Sequence, residues 1–214
     1  MRITITRILL LVCFPLLVLS QEKDFQTWMS ISATKKIAKK TNVLFKEGIR
    51  FRENSTIRSK VFSDLRIKRK YNKHFSFALG YRFSNVWDNR LNLNYNNRIY
   101  SDIYYKKKIK KRFLLNIRAR WLTQGNINGY SDVFRNKSSI SYNIKKTKLQ
   151  PEFSLEYFYY FDSMTIEKLR YTFILSFPIS KNLDTDISYR IEKDIITNKP
   201  EILYIIDGKI SYSF

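Results

Sequence analysis

Apolar and polar side chains alternate along most of this chain with a period of two. In residues 75–84, large apolar side chains occupy the odd positions, and small or charged side chains occupy the even positions. The same alternation recurs in residues 113–121, 169–177 and 183–192. This period is typical of β-strands whose two faces meet different surroundings. Each run has about ten residues, the length that a tilted strand needs to cross a bilayer.

The pattern predicts eleven strands separated by two kinds of connection. The predicted strands are residues 25–34, 42–52, 57–69, 74–84, 97–106, 112–122, 133–144, 149–161, 167–177, 183–192 and 201–214. One set of connections is short and rich in lysine, and comprises residues 35–40, 70–73, 106–111, 145–148 and 178–182. The other set is poorer in lysine and mostly longer, and comprises residues 85–96, 123–132, 162–165 and 193–200, with 53–56 as a short exception. Short turns on one side and longer loops on the other are typical of outer-membrane barrels.

The predicted fold class is therefore all-β, an antiparallel up-and-down transmembrane β-barrel of about 10–12 strands. Single-chain bacterial barrels have an even number of strands, whereas the pattern contains eleven candidates. We therefore expect residues 25–34 to form a partial strand or to lie in the lumen, unless the pattern hides a further strand.

The alternation alone does not decide whether the apolar face meets lipid or a core, because a soluble lipocalin-like barrel has the same period with its faces exchanged. Aromatic side chains at both strand ends favour lipid, since membrane barrels carry an aromatic belt at each interface. Near the lysine-rich turns these are Phe45, Phe75, Phe113, Tyr142, Phe153, Phe177, Tyr212 and Phe214. Near the other rim they are Phe51, Phe83, Trp121, Phe161, Tyr189 and Tyr204.

The face opposite the apolar one carries interleaved charges of both signs, which predicts a lumen crossed by ion pairs. The candidate members of this network are Arg50, Arg82, Arg98, Asp102, Arg118, Arg120, Arg135, Glu156 and Arg170. Arg58 falls on the same parity. Some large apolar side chains also fall there and favour a plugged interior, namely Phe62, Leu114, Phe158, Tyr160 and Ile174.

Glu47 does not fit the alternation, because it falls on the apolar parity near the middle of its strand. An exposed carboxylate is unfavourable there. Gly48 follows it, and a glycine within a strand often marks a bulge that redirects a side chain. Either such a bulge redirects the Glu47 side chain, or the predicted assignment of inward and outward positions in this strand is wrong by one residue.

The first twenty residues have the pattern of a cleaved secretory signal peptide. Arg2 and Arg7 are basic, residues 8–19 are apolar, and Ser20 is a small residue at the expected cleavage point. The alternative is an uncleaved N-terminal anchor. Residues 21–214 then form a single barrel domain without cysteine, since Cys13 lies within the signal. Neither disulfides nor a thiolate metal site are expected.

Positive charge dominates the remaining chain. Removing residues 1–20 takes away two arginines and no acidic residue, which leaves 38 basic against 18 acidic side chains, or +20. Such a charge would indicate nucleic-acid binding in a cytoplasmic protein, but export argues against that partner. Many lysines lie in the short turns, where they either face anionic phospholipid headgroups or keep the turns soluble.

Residues typical of catalysis or cofactor binding are scarce. His74 is the only histidine and lies in a short turn, where no serine and carboxylate are spaced to form a triad with it. No paired histidines or cysteines predict a metal site, and no glycine-rich loop predicts a phosphate site. Glu152 and Glu156 share one strand face, where ion pairs explain them better than acid–base catalysis. We expect a protein that is not an enzyme and has no cofactor.

The C-terminal strand ends in Tyr212 and Phe214. A terminal aromatic residue on an alternating last strand resembles the assembly signal of outer-membrane barrels. The expected partners are therefore the barrel-assembly machinery and outer-membrane lipids of a Gram-negative bacterium.

A further set of short motifs is spread along the chain and comprises Trp28, Glu47, Arg50, Phe51, Arg52, Gly80, Tyr81, Arg82, Phe83, Asn97, Arg98, Arg118, Arg120, Pro151, Glu156, Tyr212 and Phe214. In these residues the chain resembles the domain of unknown function 2490 family of exported proteins, presumed to be outer-membrane barrels. The resemblance implies the fold and the compartment but no activity or site residues. Two functions remain open: a narrow barrel that binds or passes small anionic solutes, and a structural barrel without transport. A soluble periplasmic lipocalin-like binding barrel is a further alternative.

Overall fold

The computed structural model describes residues 24–196 and 201–214 and consists of eleven strands. The strands are β1 (Phe25–Ala38), β2 (Thr41–Arg52), β3 (Ile57–Lys70), β4 (Phe75–Trp87), β5 (Leu93–Lys108), β6 (Phe113–Asn126), β7 (Gly129–Tyr142), β8 (Gln150–Tyr160), β9 (Thr165–Pro178), β10 (Leu183–Asp194) and β11 (Ile202–Ser213). In this part of the chain, no helix is long and apolar enough to cross a membrane. The signal peptide expected at residues 1–20 and its cleavage near Ser20 lie outside the described residues.

The eleven strands close into one barrel in which each strand pairs with its neighbours in sequence. All of these pairs are antiparallel, and the closing pair between β1 and β11 is parallel. The all-β barrel predicted from the sequence is thus confirmed. The expected even strand number and the partial first strand are wrong, because β1 is a full strand of 14 residues bonded on both sides. An odd number of strands can close only if one pair is parallel.

The parallel closure places the two ends of the barrel domain at opposite rims. The Asp24 carbonyl accepts a hydrogen bond from the Tyr204 amide (3.0 Å) at the rim formed by residues 53–56 and the other lysine-poor connections. The Phe214 amide donates to the Thr34 carbonyl (3.0 Å) at the rim of the lysine-rich turns. We call these the loop rim and the lysine rim.

Several connections at the loop rim are shorter than the sequence predicts. Strands β4 and β5 leave only residues 88–92 between them, and β6 and β7 leave only 127–128. The prediction of long loops at 85–96 and 123–132 is therefore wrong. The strand ends there carry Asn, Thr and Gln on both faces, so the apolar alternation stops before the hydrogen-bonded ladder does.

The apolar parity faces outward along the barrel wall. Leu79, Ile99 and Ile31 are 67%, 66% and 62% exposed, whereas Asp102 and Ser154 on the other parity are each 1% exposed. The faces follow from the pleat, because successive side chains of a strand point to opposite sides. The outer surface is thus apolar and the inner surface polar, the reverse of a soluble barrel.

Glu47 points outward, opposite Ile31 on β1 and Ser63 on β3. Both expected explanations for Glu47 are wrong, because its register follows the rest of β2 and no bulge occurs at Gly48. The irregularity between β2 and β3 lies instead beyond Arg50. It moves Arg58 off the predicted lumenal parity, so that the Arg58 guanidinium lies 3.9 Å from the ring of Trp87.

Aromatic rings meet one another near both rims on the outer surface. Near the lysine rim, ring centroids lie 5.2 Å apart in Phe75–Tyr105, 4.9 Å in Phe113–Tyr142 and 4.9 Å in Tyr212–Phe214. Near the loop rim, they lie 6.0 Å apart in Phe83–Tyr95, 4.5 Å in Trp121–Phe161 and 6.4 Å in Tyr189–Tyr204. The two groups of rings lie near opposite rims of the barrel, which is the arrangement of two aromatic belts.

Two glycines allow aromatic side chains to lie flat against the inner wall. A Cβ at Gly48 would lie 2.4 Å from Cζ of Phe62, and one at Gly80 would lie 2.2 Å from Cζ of Tyr100. Any larger residue at either position would push the ring into the lumen. Phe62 and Tyr100 are therefore part of the wall rather than a plug across the barrel.

Candidate functional site

A cavity of about 300 Å³ lies inside the barrel and extends from mid-strand towards the loop rim. Ten cationic and two acidic side chains of the described residues line it: Lys46, Arg50, Arg82, Arg98, Arg118, Arg120, Arg135, Lys137, Arg170 and Arg190, with Glu156 and Asp207. Of the nine residues that the sequence proposes as a charge network, Asp102 alone does not line this cavity, and it is buried beneath Arg120. The structure thus brings eight of the nine residues to this cavity and places the ninth in contact with one of them.

Three arginines converge on Glu156 of β8. Its carboxylate lies 2.5 Å from Arg118, 2.8 Å from Arg135 and 3.3 Å from Arg170. Strand register supplies the Arg170 contact, because Glu156 lies opposite Arg170 on β9, whereas its partner on β7 is Lys137. Glu156 is only 4% exposed, so its charge depends on these partners for stabilisation.

Two further ion pairs fix one arginine of β4 and one of β6. Arg120 donates hydrogen bonds of 2.5 Å and 2.7 Å to the two carboxylate oxygens of Asp102. The Arg82 Nε lies 2.8 Å from Asp64, whose other oxygen accepts a hydrogen bond of 2.7 Å from the Tyr100 hydroxyl. Charge-assisted bonds of this kind hold the guanidinium groups in fixed orientations.

The candidate set omits Lys46 and Lys137, which line the cavity, and it also omits four residues that form ion pairs within this network. Asp64 pairs with Arg82, Glu192 pairs with Arg170, and Asp207 pairs with Arg190. The parity of each strand was a sufficient signal for these four residues, Asp64, Arg190, Glu192 and Asp207, because it places them on the lumenal face.

Three of the cavity's cations have no carboxylate partner within the described part of the chain. Lys46 and Arg50 of β2 form no ion pair, and Arg98 of β5 donates only to the amide oxygen of Gln124. The Arg50 guanidinium stacks 3.6 Å above the ring of Trp28. Such stacking orients the group but leaves its positive charge uncompensated.

Aromatic rings support the paired arginines as well. Guanidinium carbons lie 4.0 Å from the ring centroid of Phe62 for Arg82, 3.9 Å from that of Tyr100 for Arg120 and 4.3 Å from that of Phe158 for Arg135. The rings of Tyr100 and Phe158 pack with Leu122 and Val133, and Tyr160 lies against this cluster. The lumen is therefore narrowed on the β5–β8 side by packed apolar groups.

A second cavity of about 390 Å³ lies closer to the lysine rim. Its lining combines the acidic Asp184 and Asp186 with Lys148 and Lys209, and Lys209 lies 3.0 Å from Asp186. Positive and negative charges balance here. Of the two cavities, only the first, which we call the upper cavity, therefore has an excess of positive charge in its lining.

The 88–92 turn at the loop rim is held by Asp88. Its carboxylate accepts hydrogen bonds from the Asn92 amide group (3.1 Å) and backbone (2.8 Å), and these bonds lower the pKa of Asp88 below its usual value. Arg52 of β2 donates to Asn89 at 2.5 Å and to the Asp88 carbonyl. The turn between β4 and β5 is thus tied to β2, which is separated from β4 by β3.

His74 lies at a lysine-rim turn, with Nδ1 3.0 Å from the Lys106 carbonyl. His74 directly precedes β4 and does not line the cavity described above. Among residues 24–196 and 201–214, no group of three or more His, Cys, Asp or Glu side chains could hold a metal ion.

Tyr212 and Phe214 lie on the outer side of the lysine rim, and Phe214 is 72% exposed. An exposed aromatic side chain at the end of the last strand is available to another protein or to lipid. Their role as an assembly signal stays a prediction.

Solved structures with a similar fold include two porins and an autotransporter domain. The KdgM porin in complex with disordered oligogalacturonate is 14% identical, with a TM-score of 0.53 over 89% of this chain and 98% of that chain. The NanC porin is 12% identical, with a TM-score of 0.54 over 89% and 99%. The β domain of the Bordetella autotransporter BrkA is 9% identical, with a TM-score of 0.51 over 79% and 82%. These likenesses concern the fold.

No curated protein matches the chain significantly. One family model matches residues 25–194, which covers all strands from β1 to β10, and this family is described as a protein of unknown function, DUF2490. The resemblance noted in the sequence is thereby confirmed. This chain belongs to the DUF2490 family.

Proposed function

We propose that this protein is an outer-membrane barrel of a Gram-negative bacterium that binds or passes anionic solutes small enough to enter its lumen. The apolar outer surface with its two aromatic belts supports the membrane location, because water would meet that surface unfavourably. The signal pattern in residues 1–20 supports export before insertion.

The observation that carries the anion preference is the charge imbalance of the upper cavity. Ten cationic side chains of the described residues line it against two carboxylates, and three of these cations lack any carboxylate partner. A narrow, low-dielectric passage lined by one sign of charge concentrates ions of the opposite sign. Cations are repelled by the same groups.

The fold neighbours support this proposal, although they differ greatly in sequence. Two of them are porins, and one was solved with oligogalacturonate, which is a polyanion. The same barrel architecture with an excess of lumenal arginine therefore suits the same kind of cargo. No catalytic role is proposed, because His74 is separated from the cavity.

The second candidate function is a structural barrel that conducts nothing. The packed cluster of Tyr100, Leu122, Val133 and Phe158 favours it, because these side chains thicken the inner wall beside the cavity and narrow the lumen. The two candidates differ in one measurable property, the passage of ions through the purified protein.

Planar-bilayer recording under a salt gradient tests the proposal. We expect discrete channels whose reversal potential shows that chloride is more permeant than potassium. The control variant Lys107→Gln removes a positive charge from the outer side of β5 at the lysine rim, and we expect the same ion preference as in the native protein. Cation-selective channels, or no channels from correctly folded barrels, would contradict anion passage.

A further inference from the structure

The lumenal cations divide into two groups by their partners. Seven of the ten that line the cavity among the described residues form an ion pair with a carboxylate, whereas Lys46, Arg50 and Arg98 do not. A cation kept away from water without a counter-charge is unfavourable. A bound anion would therefore gain most from these three groups, and less from the seven cations that already contact a carboxylate.

The two unpaired cations of β2 form a row along one wall. Lys46 and Arg50 lie on the same lumenal face four residues apart, which corresponds to about 13 Å along a strand. Between them lies Gly48, which pairs across the ladder with Ser30. The Ser30 hydroxyl is buried and has no hydrogen-bond partner among residues 24–196 and 201–214. The ring of Phe62 lies against Gly48, with its centroid 5.8 Å from the Lys46 ammonium and 5.7 Å from the Arg50 guanidinium. The wall thus presents a cation, an aromatic ring with the buried Ser30 hydroxyl beside it, and a second cation.

We propose that this row binds an extended organic polyanion with hydroxyl groups between its negative groups, of which an acidic oligosaccharide is the chemical class. One carboxylate meets Arg50 and another meets Lys46, while Ser30 exchanges a hydrogen bond with an intervening hydroxyl. Arg98 on the neighbouring wall faces the same cavity and holds the polyanion from the other side. A compact anion with a single charge reaches only one end of the row. This inference rests on the proposed anion-binding lumen and specifies the length of the occupant.

Titration calorimetry on the detergent-folded protein tests the proposal, with a mannuronate trisaccharide and mannuronate itself as probes. We expect the trisaccharide to bind the native protein at least about tenfold more tightly than the monosaccharide, since a second charge-assisted contact forms. Either Lys46→Gln or Arg50→Gln should raise the trisaccharide dissociation constant by at least about tenfold.

The matched control is Arg118→Gln, which removes the same charge from the same cavity but from a cation paired with Glu156. We expect it to raise the dissociation constant less than about threefold, because only a screened, longer-range interaction is lost. Equal binding of the two probes by the native protein, or equal effects of the three substitutions, would overturn the proposal. Anion-selective conductance by the native protein in the same preparation would then show that the lumen prefers anions without this site. Loss of that selectivity would instead contradict the proposed function.

Discussion

Replacing Glu156 by glutamine should destabilise the barrel strongly, because it removes the counter-charge of three arginines. Arg118, Arg135 and Arg170 lie 2.5–3.3 Å from this carboxylate, which is 4% exposed. A glutamine of the same size keeps one acceptor oxygen but turns an NH₂ group towards the guanidinium groups. Breaking a buried ion pair costs about 3–5 kcal/mol. Arg170 also pairs with Glu192, so the cost for Glu156→Gln should fall at the lower end, about 3 kcal/mol.

Glu152→Gln is the matched control, since it changes the same side chain on the same face of β8. Glu152 pairs only with Lys137 at 3.1 Å, and both side chains are 22% exposed. We expect a loss below about 1 kcal/mol for this half-exposed pair. Urea unfolding in lipid vesicles, followed by tryptophan fluorescence, gives both free energies of unfolding. Equal losses in the two variants would refute the view that Glu156 organises the arginine cluster.

Two further predictions concern the outer wall and the end of the chain. Leu79→Arg should cost roughly 2–4 kcal/mol of folding free energy in vesicles, because Leu79 faces lipid near mid-strand. Ala78→Arg, on the lumenal side, should cost less. Equal or reversed costs would contradict the assigned faces. Phe214→Asp should greatly reduce the amount of heat-modifiable barrel in outer-membrane fractions. The control Ile127→Asp changes a fully exposed turn residue and should reduce that amount far less. Normal assembly of the Phe214 variant would refute the assembly signal.

The sequence predicts which residues face inward because parity is a local property of the pleat. Arg118, Arg135 and Glu156 share the lumenal parity, and this follows from counting along each strand. Their mutual contact does not follow, since it depends on strand tilt and on the reach of side chains across the lumen. The same limit explains why Arg50 could not be recognised as an unpaired cation before the three-dimensional structure was known.

The sequence predictions fail where the alternation of apolar and polar side chains does not reflect the hydrogen bonds between the strands. Strand β1 alternates small polar residues such as Ser30 with apolar ones. Its hydrophobicity therefore does not predict that it is a full strand of the barrel, hydrogen-bonded on both sides. The parallel closure with β11 is a property of the whole barrel that no local window contains. Arg58 was misplaced because one irregularity beyond Arg50 changes the parity of the remaining residues.

The most direct test of an apolar outside and a polar inside uses two native tryptophans. Trp121 is 47% exposed on the outer surface, whereas Trp28 is 7% exposed on the lumenal face beneath Arg50. Variants that keep one of these tryptophans, with phenylalanine at the other and at Trp87, would be folded into vesicles of ordinary or brominated lipid. We expect brominated lipid to quench Trp121 strongly and to leave the emission of Trp28 nearly unchanged. Quenching of Trp28 instead of Trp121, or of neither, would contradict a membrane barrel with the cationic face inside.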